Sequence, residues 1–517
     1  MPGWVKEIRL APPSLDDHSG DLDRLQRTLH QECGLKRVCF DLETVQSLPA
    51  MIRDFAYKVR LTLLQDREKT FITRMDPAGS PEAVLGLAVD LGTTRYVLQL
   101  VDLETGTVLA SADHANPQIR IGPDILTRIH FAEQSGGAKE LQAMLIQDMQ
   151  AAVDKLCREN GFDRRRICNL VLAGNTAMTH FFLGLDTRWL IREPYVPAAN
   201  EPGLCRAFEV GLDLHPLAAV YCFPNAGSYF GGDLFAGILY AGLDERQAIS
   251  LLVDVGTNAE VVLGNRDWLI GCAGAAGPAL EGGVSQIGKQ AGPGVIDRVR
   301  IDAESLEFEI KTISGLPPTG ICGSGFIDLA AGLFLSGLLD FRGKLVPERC
   351  PERFVLKDGQ DCLVLVEAAD SGNGQDLLVS QPEIDSLIRS KAAMYTILET
   401  LIASLGVGFQ DVDRFFVAGT FGQYIDPESA ISIGMLPDLP LELFQPLGNS
   451  SLGGATRLLQ EPEALDIVSR TRERMTYLEL NVNQEFMNEF SAARFLPHTD
   501  RDRFPSVIRK LETGSKM

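Results

Sequence analysis

The alternation of apolar and polar residues predicts two hairpins with polar tips. In the first, the apolar run 84–89 ends at Asp90, and a second apolar run follows at 96–101. In the second, the apolar run 251–253 ends at Asp254, and a similar partner run follows. Apolar runs of this length on either side of a short glycine-containing turn are typical of buried, paired strands. The predicted tips are formed by Gly92, Thr93 and Thr94 in the first hairpin and by Gly256, Thr257 and Asn258 in the second.

Strands followed by glycine-rich turns and then helices recur along the rest of the chain, which predicts an α/β protein. The first 80 residues differ, because they predict a small α+β module that ends in a linker at 76–81. In that module we expect a helix at 21–30 and paired strands at 57–64 and 69–74. Further strands are predicted at 107–111, 168–173, 268–272 and 414–418, and further helices at 139–158, 234–243, 326–339 and 383–405.

The turns after the strands carry the candidate chemistry. At a hairpin tip, an aspartate can hold a hydrated metal ion while neighbouring amides bind phosphate oxygens, although Asp-x-Gly-Thr also forms an ordinary turn. The recurrence of Asp, Gly and Thr in register at Asp90 and Asp254 favours the nucleotide site. The turn made by Gly174, Asn175 and Thr176 opens a helix, and it is either an anion site or a plain capping turn.

Further turns and three charged side chains complete the candidate site. Glycines after a strand or at the start of a helix let a nucleotide approach the backbone closely. Asp233, Glu281 and Lys391 are the charged candidates, and each has a structural alternative, which for Asp233 is a favourable interaction with a helix dipole. The turns are Gly323, Ser324 and Gly325 at the start of one predicted helix, and Gly419, Thr420 and Gly422 after the strand at 414–418.

Composition and charge exclude several classes of protein. The 517 residues predict two or three domains, and their net charge of −21 argues against broad contact with nucleic acid or an anionic membrane. No apolar run is long enough to span a membrane, and the N-terminus does not have the pattern of a signal peptide. The ten cysteines include no C-x2-C pair and no plant-type iron–sulfur or zinc spacing, which predicts reduced core cysteines in a cytoplasmic protein.

The doubled Asp-x-Gly-Thr pattern and the late Gly-Thr-Phe-Gly turn resemble the superfamily of acetate and sugar kinases, heat-shock chaperones and actin. The resemblance implies a duplicated two-lobed fold with ATP and Mg²⁺ between the lobes. It divides the chain into a linker module at 1–81, a first actin-like lobe at 82–248, and a second actin-like lobe with the adenosine loop at 249–517. The implied phosphate loops are Asp90, Gly92, Thr93 and Thr94, then Asp254, Gly256, Thr257 and Asn258, and the adenosine loop is Gly419, Thr420 and Gly422.

A closer resemblance is to the reductive activators of corrinoid proteins. It is carried by the segments 11–17, 21–25, 173–180, 320–325 and 417–422. The resemblance implies an ATP-hydrolysing activator that returns Co(II) corrinoid protein to Co(I), so that methyl transfer can resume. ATP binding or hydrolysis would drive a conformational change in the complex through different nucleotide affinities of its states.

The sequence departs from that family at its start. The usual activator begins with a ferredoxin-like iron–sulfur domain, whereas here Met1 lies almost at the linker, and we predict no iron–sulfur cluster in this chain. The electron donor is then either a lost or truncated domain or a separate, low-potential ferredoxin-type protein. A related family of dehydratase activators holds one cluster between two subunits, which leaves open a homodimer with Cys272 and Cys322 in that role, against the simpler core interpretation.

The leading hypothesis is therefore an ATP-dependent corrinoid activator, and two alternatives stay open. One is a small-molecule kinase of the same superfamily, with Asp233 or Glu281 as the nearest candidates for a base. The other is a nucleotide-gated binding protein without a redox role, in the manner of chaperones. We assign Asp90, Asp254 and Glu281 to catalysis and the two aspartates also to the metal, while the other candidates named above are assigned to nucleotide binding.

Overall fold

The computed structural model describes residues 4–35, 37–67, 69–256, 259–274, 286–419, 424–478 and 484–514. The chain separates into two compact units, Met1–Gly242 with Ser450–Arg474, and Leu243–Asn449 with Met475–Met517. The predicted domains are consecutive segments of the chain divided at residues 81 and 248, and these boundaries remain predictions. Within the described ranges, no helix is both long enough and apolar enough to cross a membrane.

The strands of the described residues lie in five sheets, and their bounds are as follows: β1 Val5–Arg9, β2 Val38–Cys39, β3 Lys58–Gln65, β4 Thr70–Pro77, β5 Leu85–Leu91, β6 Arg95–Asp102, β7 Val108–Ala115, β8 Ile167–Gly174, β9 Cys205–Arg206, β10 Ala219–Cys222, β11 Ser250–Val255, β12 Ala259–Gly264, β13 Leu269–Gly274, β14 Val295–Ile301, β15 Phe308–Thr312, β16 Gly320–Ile321, β17 Phe354–Lys357, β18 Gln360–Val366, β19 Leu377–Ser380, β20 Arg414–Ala418, β21 Phe444–Gly448 and β22 Met475–Tyr477.

The helices alternate with these strands, and their bounds are as follows: α1 Asp21–Cys33, α2 Leu42–Asp54, α3 Ile125–Ala132, α4 Gly137–Glu159, α5 Thr176–Leu183, α6 Gly232–Ala241, α7 Gly323–Leu335, α8 Gln381–Ala403, α9 Pro427–Ser432, α10 Ser450–Gln460, α11 Ala464–Arg474, α12 Gln484–Ala493 and α13 Pro505–Gly514.

Both predicted hairpins are present, and each continues into a third antiparallel strand to form a three-stranded meander. Each meander lies in a six-stranded sheet. The strand order is β7-β6-β5-β8-β10-β9 in the first unit and, written in the same sense, β22-β13-β12-β11-β20-β21 in the second. In both sheets the first strand of the meander pairs parallel with the strand after it, β5 with β8 and β11 with β20. Five strands of each sheet therefore repeat one topology, β7-β6-β5-β8-β10 and β13-β12-β11-β20-β21, while the sixth strand lies at opposite edges of the two sheets. The repeat confirms the predicted duplicated actin-like fold.

The two faces of β5 have different neighbours, and the alternation of side chains along the strand decides on which face Asp90 lies. Alternate residues from Leu85 to Leu91 belong to a buried core shared with α4 and α5. Gly86 lies on the other face, where an added Cβ would be only 2.9 Å from the side chain of Leu459 in α10. Because side chains of a strand alternate, Asp90 lies on the same face as Gly86, the face covered by α10.

The N-terminal module is a four-stranded sheet in the order β1-β3-β4-β2, and it is joined to the first lobe through buried polar contacts. The Asn169 side chain in β8 donates to the carbonyl of Leu63 at 2.8 Å and accepts from the Thr73 hydroxyl at 2.8 Å. β4 extends into the predicted linker, because Asp76 is buried and pairs with Arg74 at 2.7 Å and Arg60 at 3.3 Å. The module is thus part of the first compact unit.

Most predicted helices and strands lie close to where the pattern placed them. α6 and α8 each begin and end two residues earlier than predicted, and α7 is shifted further toward the N-terminus. α7 begins at Gly323, three residues before the predicted start, and ends at Leu335 rather than at residue 339. Gly337 has a φ of 75°, a left-handed conformation that stops helices and suits glycine.

Candidate functional site

Three loops of the first lobe meet at one edge of its sheet. β5, β8 and β10 are parallel neighbours, with Leu91 opposite Gly174 and Leu172 opposite Cys222. The carboxyl ends of parallel strands lie at the same edge, so the hairpin tip at 92–94, the turn at 174–176 and the loop at 223–231 are adjacent. This edge is where α/β sheets commonly place their ligands.

The hairpin tip and the next loop are connected by side chains. The Asn175 side chain donates from Nδ2 to the hydroxyl of Thr93 at 3.1 Å. Its Oδ1 accepts from the backbone amide of Met178 at 2.9 Å, so Asn175 is the N-cap of α5. The capping role of this turn is therefore present, and its role as an anion site remains a prediction.

The third loop is held against the start of α5. The Thr176 hydroxyl donates to the carbonyl of Gly227 at 3.0 Å. A Cβ at Gly231 would lie 2.4 Å from Cα of Asn175, so a side chain there would push the two loops apart. Asn225 is fully buried; its Oδ1 accepts from the amide of Gly232 at 3.1 Å, and its Nδ2 has no hydrogen-bond partner among the described residues.

Asp233 lies in the first turn of α6, close to the sheet face that bears Asp90. Its Oδ1 accepts from the amide of Leu234 at 2.9 Å. Burial raises the pKa of Asp233 to about 6, and the nearby charge of Asp90 adds to the increase. A carboxylate that titrates near neutral pH is suited to accept a proton from water or a hydroxyl group.

Sequence reasoning missed a buried polar cluster that supports the hairpin tip. Asn116, Gln118 and Arg128 are 1%, 0% and 0% exposed, respectively. Asn116 and Arg128 donate hydrogen bonds to backbone carbonyls of the tip. Burial lowers the pKa of Arg128 to about 10, and the charge of Asp124 opposes this shift. Arginine usually lies at the surface, so no local pattern marked this one as buried.

In the second lobe, Asp254 and Gly419 lie together. Asp254 pairs with Ala418 of the parallel strand β20, and Gly419 follows directly. Gly419 has a φ of 84°, and an added Cβ would be 2.7 Å from Asp254 Oδ1 and 2.7 Å from the Val255 carbonyl. The first glycine of the predicted adenosine loop is therefore in contact with the predicted phosphate loop. Gly256 ends the described part of that loop, and Thr257, Asn258, Glu281, Thr420 and Gly422 lie outside the described residues.

The remaining candidates of the second lobe have described contacts of a structural kind. Gly323, Ser324 and Gly325 form the buried first turn of α7, and a Cβ at Gly325 would be 2.6 Å from the carbonyl of Ile296. Lys391 is 0% exposed, and its ammonium group donates to two backbone carbonyls, at 2.6 Å and 2.7 Å, in the segment that follows α12. Burial lowers the pKa of Lys391. These contacts fit the structural alternative for Lys391, and its nucleotide role remains a prediction.

The cysteines of the two glycine-rich segments lie in the core. All ten cysteines are free thiols. Cys272 is fully buried in β13, where burial raises its pKa to about 12. Cys322 is 6% exposed, and its thiol donates to the carbonyl of Ile296 at 3.3 Å. These surroundings are those of core cysteines.

The carboxylates of the first lobe are of the kind that magnesium uses. Mg²⁺ keeps several of its waters and commonly takes only one or two carboxylates from a protein. Asp90 is the penultimate residue of β5, next to the hairpin tip, and it lies close enough to Asp233 for the two charges to interact. In the described ranges, no three His, Cys, Asp or Glu side chains form a metal-binding group by themselves. The residues therefore fit a hydrated magnesium that also binds phosphate.

Comparison with known proteins gives three family models that follow one another along the chain. They are the RACo linker region at residues 4–80, the RACo middle region at 85–246, and the C-terminal domain of RACo, the ASKHA domain, at 248–508. The last of these alone spans half of the chain.

Individual proteins agree with these models. A solved structure described as a reductive activator for corrinoid, iron–sulfur protein is 38% identical, with a TM-score of 0.86 over 98% of this chain and 81% of that chain. The corrinoid activation enzyme RamQ of Eubacterium limosum is 28% identical over 79% of this chain and 69% of its own length. The Co(II) methylated amine-specific corrinoid protein reductase of Methanosarcina barkeri is 26% identical over 78% of this chain and 75% of its own length.

Proposed function

The chain belongs to the RACo family, and from this membership we propose that it is an ATP-dependent reductive activator of a corrinoid protein. The reaction adds one electron to Co(II) of the partner's corrinoid and yields Co(I), which can again accept a methyl group. The observation that carries the proposal is the family match over nearly the whole chain, together with the first-lobe edge where Asp90, Asn175 and Asp233 converge.

We assign the nucleotide to the duplicated hairpins. Asp90 would hold a hydrated magnesium, and the tip amides at 92–94 would bind phosphate oxygens. Asp254 would do the same in the second lobe, with Gly419 beside it for the adenosine. The metal would neutralise phosphate charge, and Asp233 has a pKa suited to accept a proton from an attacking water.

The electron source and assembly are further parts of the proposal. We infer a low-potential ferredoxin-type donor in the cytoplasm. The nucleotide would act by binding one state of the activator–corrinoid complex more tightly than another, because a ligand shifts a conformational equilibrium only through such a difference in affinity. The catalytic assignments of Asp254 and Glu281 and the homodimer remain predictions.

The direct test is a spectroscopic assay of cobalt. The full chain is mixed with Co(II) corrinoid protein, a low-potential reductant, and Mg·ATP, and the absorbance of Co(I) or of methyl-cobalt is followed. We expect an increase that requires both the chain and ATP. Asp90→Ala should abolish it, while Asp361→Ala, which removes an exposed carboxylate from β18, should leave it unchanged. An increase that is the same without ATP would contradict the proposal.

One observation also favours a small-molecule kinase. Asp233, with a pKa raised to about 6, is a suitable base for a substrate hydroxyl as well as for water. This function predicts release of ADP that depends on a sugar or carboxylate substrate in the absence of corrinoid protein. If no member of such a substrate panel raises ADP release above the basal rate, the kinase alternative is rejected.

A further inference from the structure

The polar cluster behind the first hairpin tip consists of Asn116, Gln118 and Arg128. It follows β7 and reaches into α3, and all three side chains are almost completely buried. Gln118 links the cluster to α4, because its Nε2 donates to the carbonyl of Leu141 at 2.9 Å. The cluster lies against the hairpin tip that the proposed function assigns to phosphate binding. The proposed function gives the cluster itself no role.

Two members of the cluster hold consecutive peptide carbonyls of the tip. Asn116 Nδ2 donates to the carbonyl of Gly92 at 3.0 Å, and Arg128 Nη2 donates to the carbonyl of Thr93 at 2.7 Å. In a planar trans peptide, the carbonyl and the following N–H point in opposite directions. The amides of Thr93 and Thr94 therefore point away from the cluster. Within the described part of the chain, neither amide donates to a protein acceptor.

The charge of Arg128 is unusual for a buried side chain. It donates from Nε to the carbonyl of Gly122 at 2.9 Å and from Nη1 to Oε1 of Gln118 at 3.3 Å, and these acceptors are neutral. No carboxylate of the described residues lies within ion-pair distance of it, and the carboxylate of Asp124 instead accepts from Thr127. By contrast, the buried Arg24 is paired with Asp17.

A buried cation without an anionic partner is costly in an isolated protein, and it attracts an anion strongly when one binds nearby. Here the guanidinium of Arg128 contacts the carbonyl of Thr93, and the N–H of the same peptide, which belongs to Thr94, points in the opposite direction. Its hydrogen bond to that carbonyl also polarises the peptide and makes the opposite N–H a better donor. The arrangement provides two backbone donors and one net positive charge behind them, which suits a doubly or triply charged phosphate chain.

We propose that Asn116 and Arg128 are positioning residues for nucleotide phosphates: they orient the amides of Thr93 and Thr94 toward the phosphate chain, and Arg128 supplies the positive charge that favours it. This inference rests on the proposed function, because it takes ATP as the ligand of the tip. It adds residues to which the sequence pattern assigned no role.

The test compares binding of Mg·ATP and of adenosine to the full chain by titration calorimetry. Arg128→Met should weaken ATP binding at least tenfold and change adenosine binding less than twofold, since adenosine carries no phosphate. Arg128→Lys should recover part of the loss, because it keeps the charge. Asn116→Asp keeps the shape but places an acceptor against the Gly92 carbonyl, so it should also weaken ATP binding about tenfold. Arg24→Met is the matched control, a buried arginine of the N-terminal module, and should change both affinities less than twofold.

The outcomes separate this inference from the proposed function. If the native chain does not bind ATP, the proposed function fails, and the inference fails with it. If the native chain binds ATP and folded Arg128→Met or Asn116→Asp binds it within twofold, only the inference is overturned. Equal losses for ATP and adenosine would also overturn it, because they would show a general structural effect. If Arg128→Met does not fold, Arg128→Lys and Asn116→Asp decide by the same criteria.

Discussion

Asp233 should make the native protein less stable at neutral pH, and Asp233→Asn should relieve this effect. The carboxyl has a pKa of about 6 in the native state against an ordinary value of 3.8. In the pH range between these values the unfolded chain is ionised at this position while the native chain stays protonated. Stability is therefore lost as the pH rises from about 4 to about 6, and the loss is complete above pH 7.

The magnitude follows from the two pKa values. Each pKa unit corresponds to 1.36 kcal/mol, so the difference amounts to about 3 kcal/mol for a fully buried carboxyl. Asp233 keeps some exposure, which reduces the expected penalty to about 2 kcal/mol. Asp233→Asn has almost the same shape and no charge, and it should raise the free energy of unfolding by that amount at pH 7.5. The same variant should lose ATP-dependent formation of Co(I), because an amide cannot accept a proton.

The assay is urea unfolding of the full chain at pH 4.5 and pH 7.5, with the midpoint of the transition compared between native and variant proteins. We expect a higher midpoint for Asp233→Asn at pH 7.5 and a much smaller difference at pH 4.5. Asp361→Asn, an exposed position in β18, should change neither midpoint. A variant that is less stable than the native chain at pH 7.5, or a difference that is the same at both pH values, would refute the reasoning.

Three further substitutions test other contacts. Gly231→Ala should lower stability by about 1–3 kcal/mol and weaken ATP binding, because the added Cβ would lie 2.4 Å from backbone. The control Gly292→Ala, whose Cβ would have no atom nearer than 3.9 Å, should leave stability unchanged. Equal calorimetric transition temperatures for the two variants would contradict this prediction. Lys391→Ala should cost about 3–5 kcal/mol in thermal unfolding, since it leaves a cavity and two carbonyls without a donor. An ATP affinity that is unchanged at low temperature would support the structural alternative for Lys391 against its predicted nucleotide role. Gly419→Ala should reduce nucleotide affinity by disturbing Asp254, and an unchanged dissociation constant would argue against a shared loop.

The sequence predicted those features that depend on neighbouring residues. The hairpin ending at Asp90 and its repeat at Asp254 were readable because strand periodicity and turn glycines are local signals. The turn at 174–176 was predicted as either a capping turn or an anion site, because caps are also local signals, and the structure gives the capping bond to Asn175.

The features that were missed depend on residues far apart in the chain. Arg128 lies 35 positions from the Thr93 carbonyl that it holds, and nothing near it in sequence signals burial. Asp76 was included in a linker because its Pro-Gly-Ser surroundings predict a turn, whereas its ion pair with Arg60 keeps it inside the sheet. Likewise, the contact of Gly454 in α10 with the backbone of Ala236 in α6 could not be inferred from either segment.

The return of residues 450–474 to the first unit affects how the protein can be made in a cell. α10 packs on α6 and on β5, so the first unit lacks two of its helices until residue 474 has left the ribosome. About two hundred residues of the second unit are synthesised in between, which takes between about 10 and 40 seconds at ordinary translation rates. During this interval the face of β5 that bears Gly86 is not yet covered by α10, so chaperones have time to bind it. Expression of the first unit alone would accordingly require residues 450–474 to be joined to it by a linker.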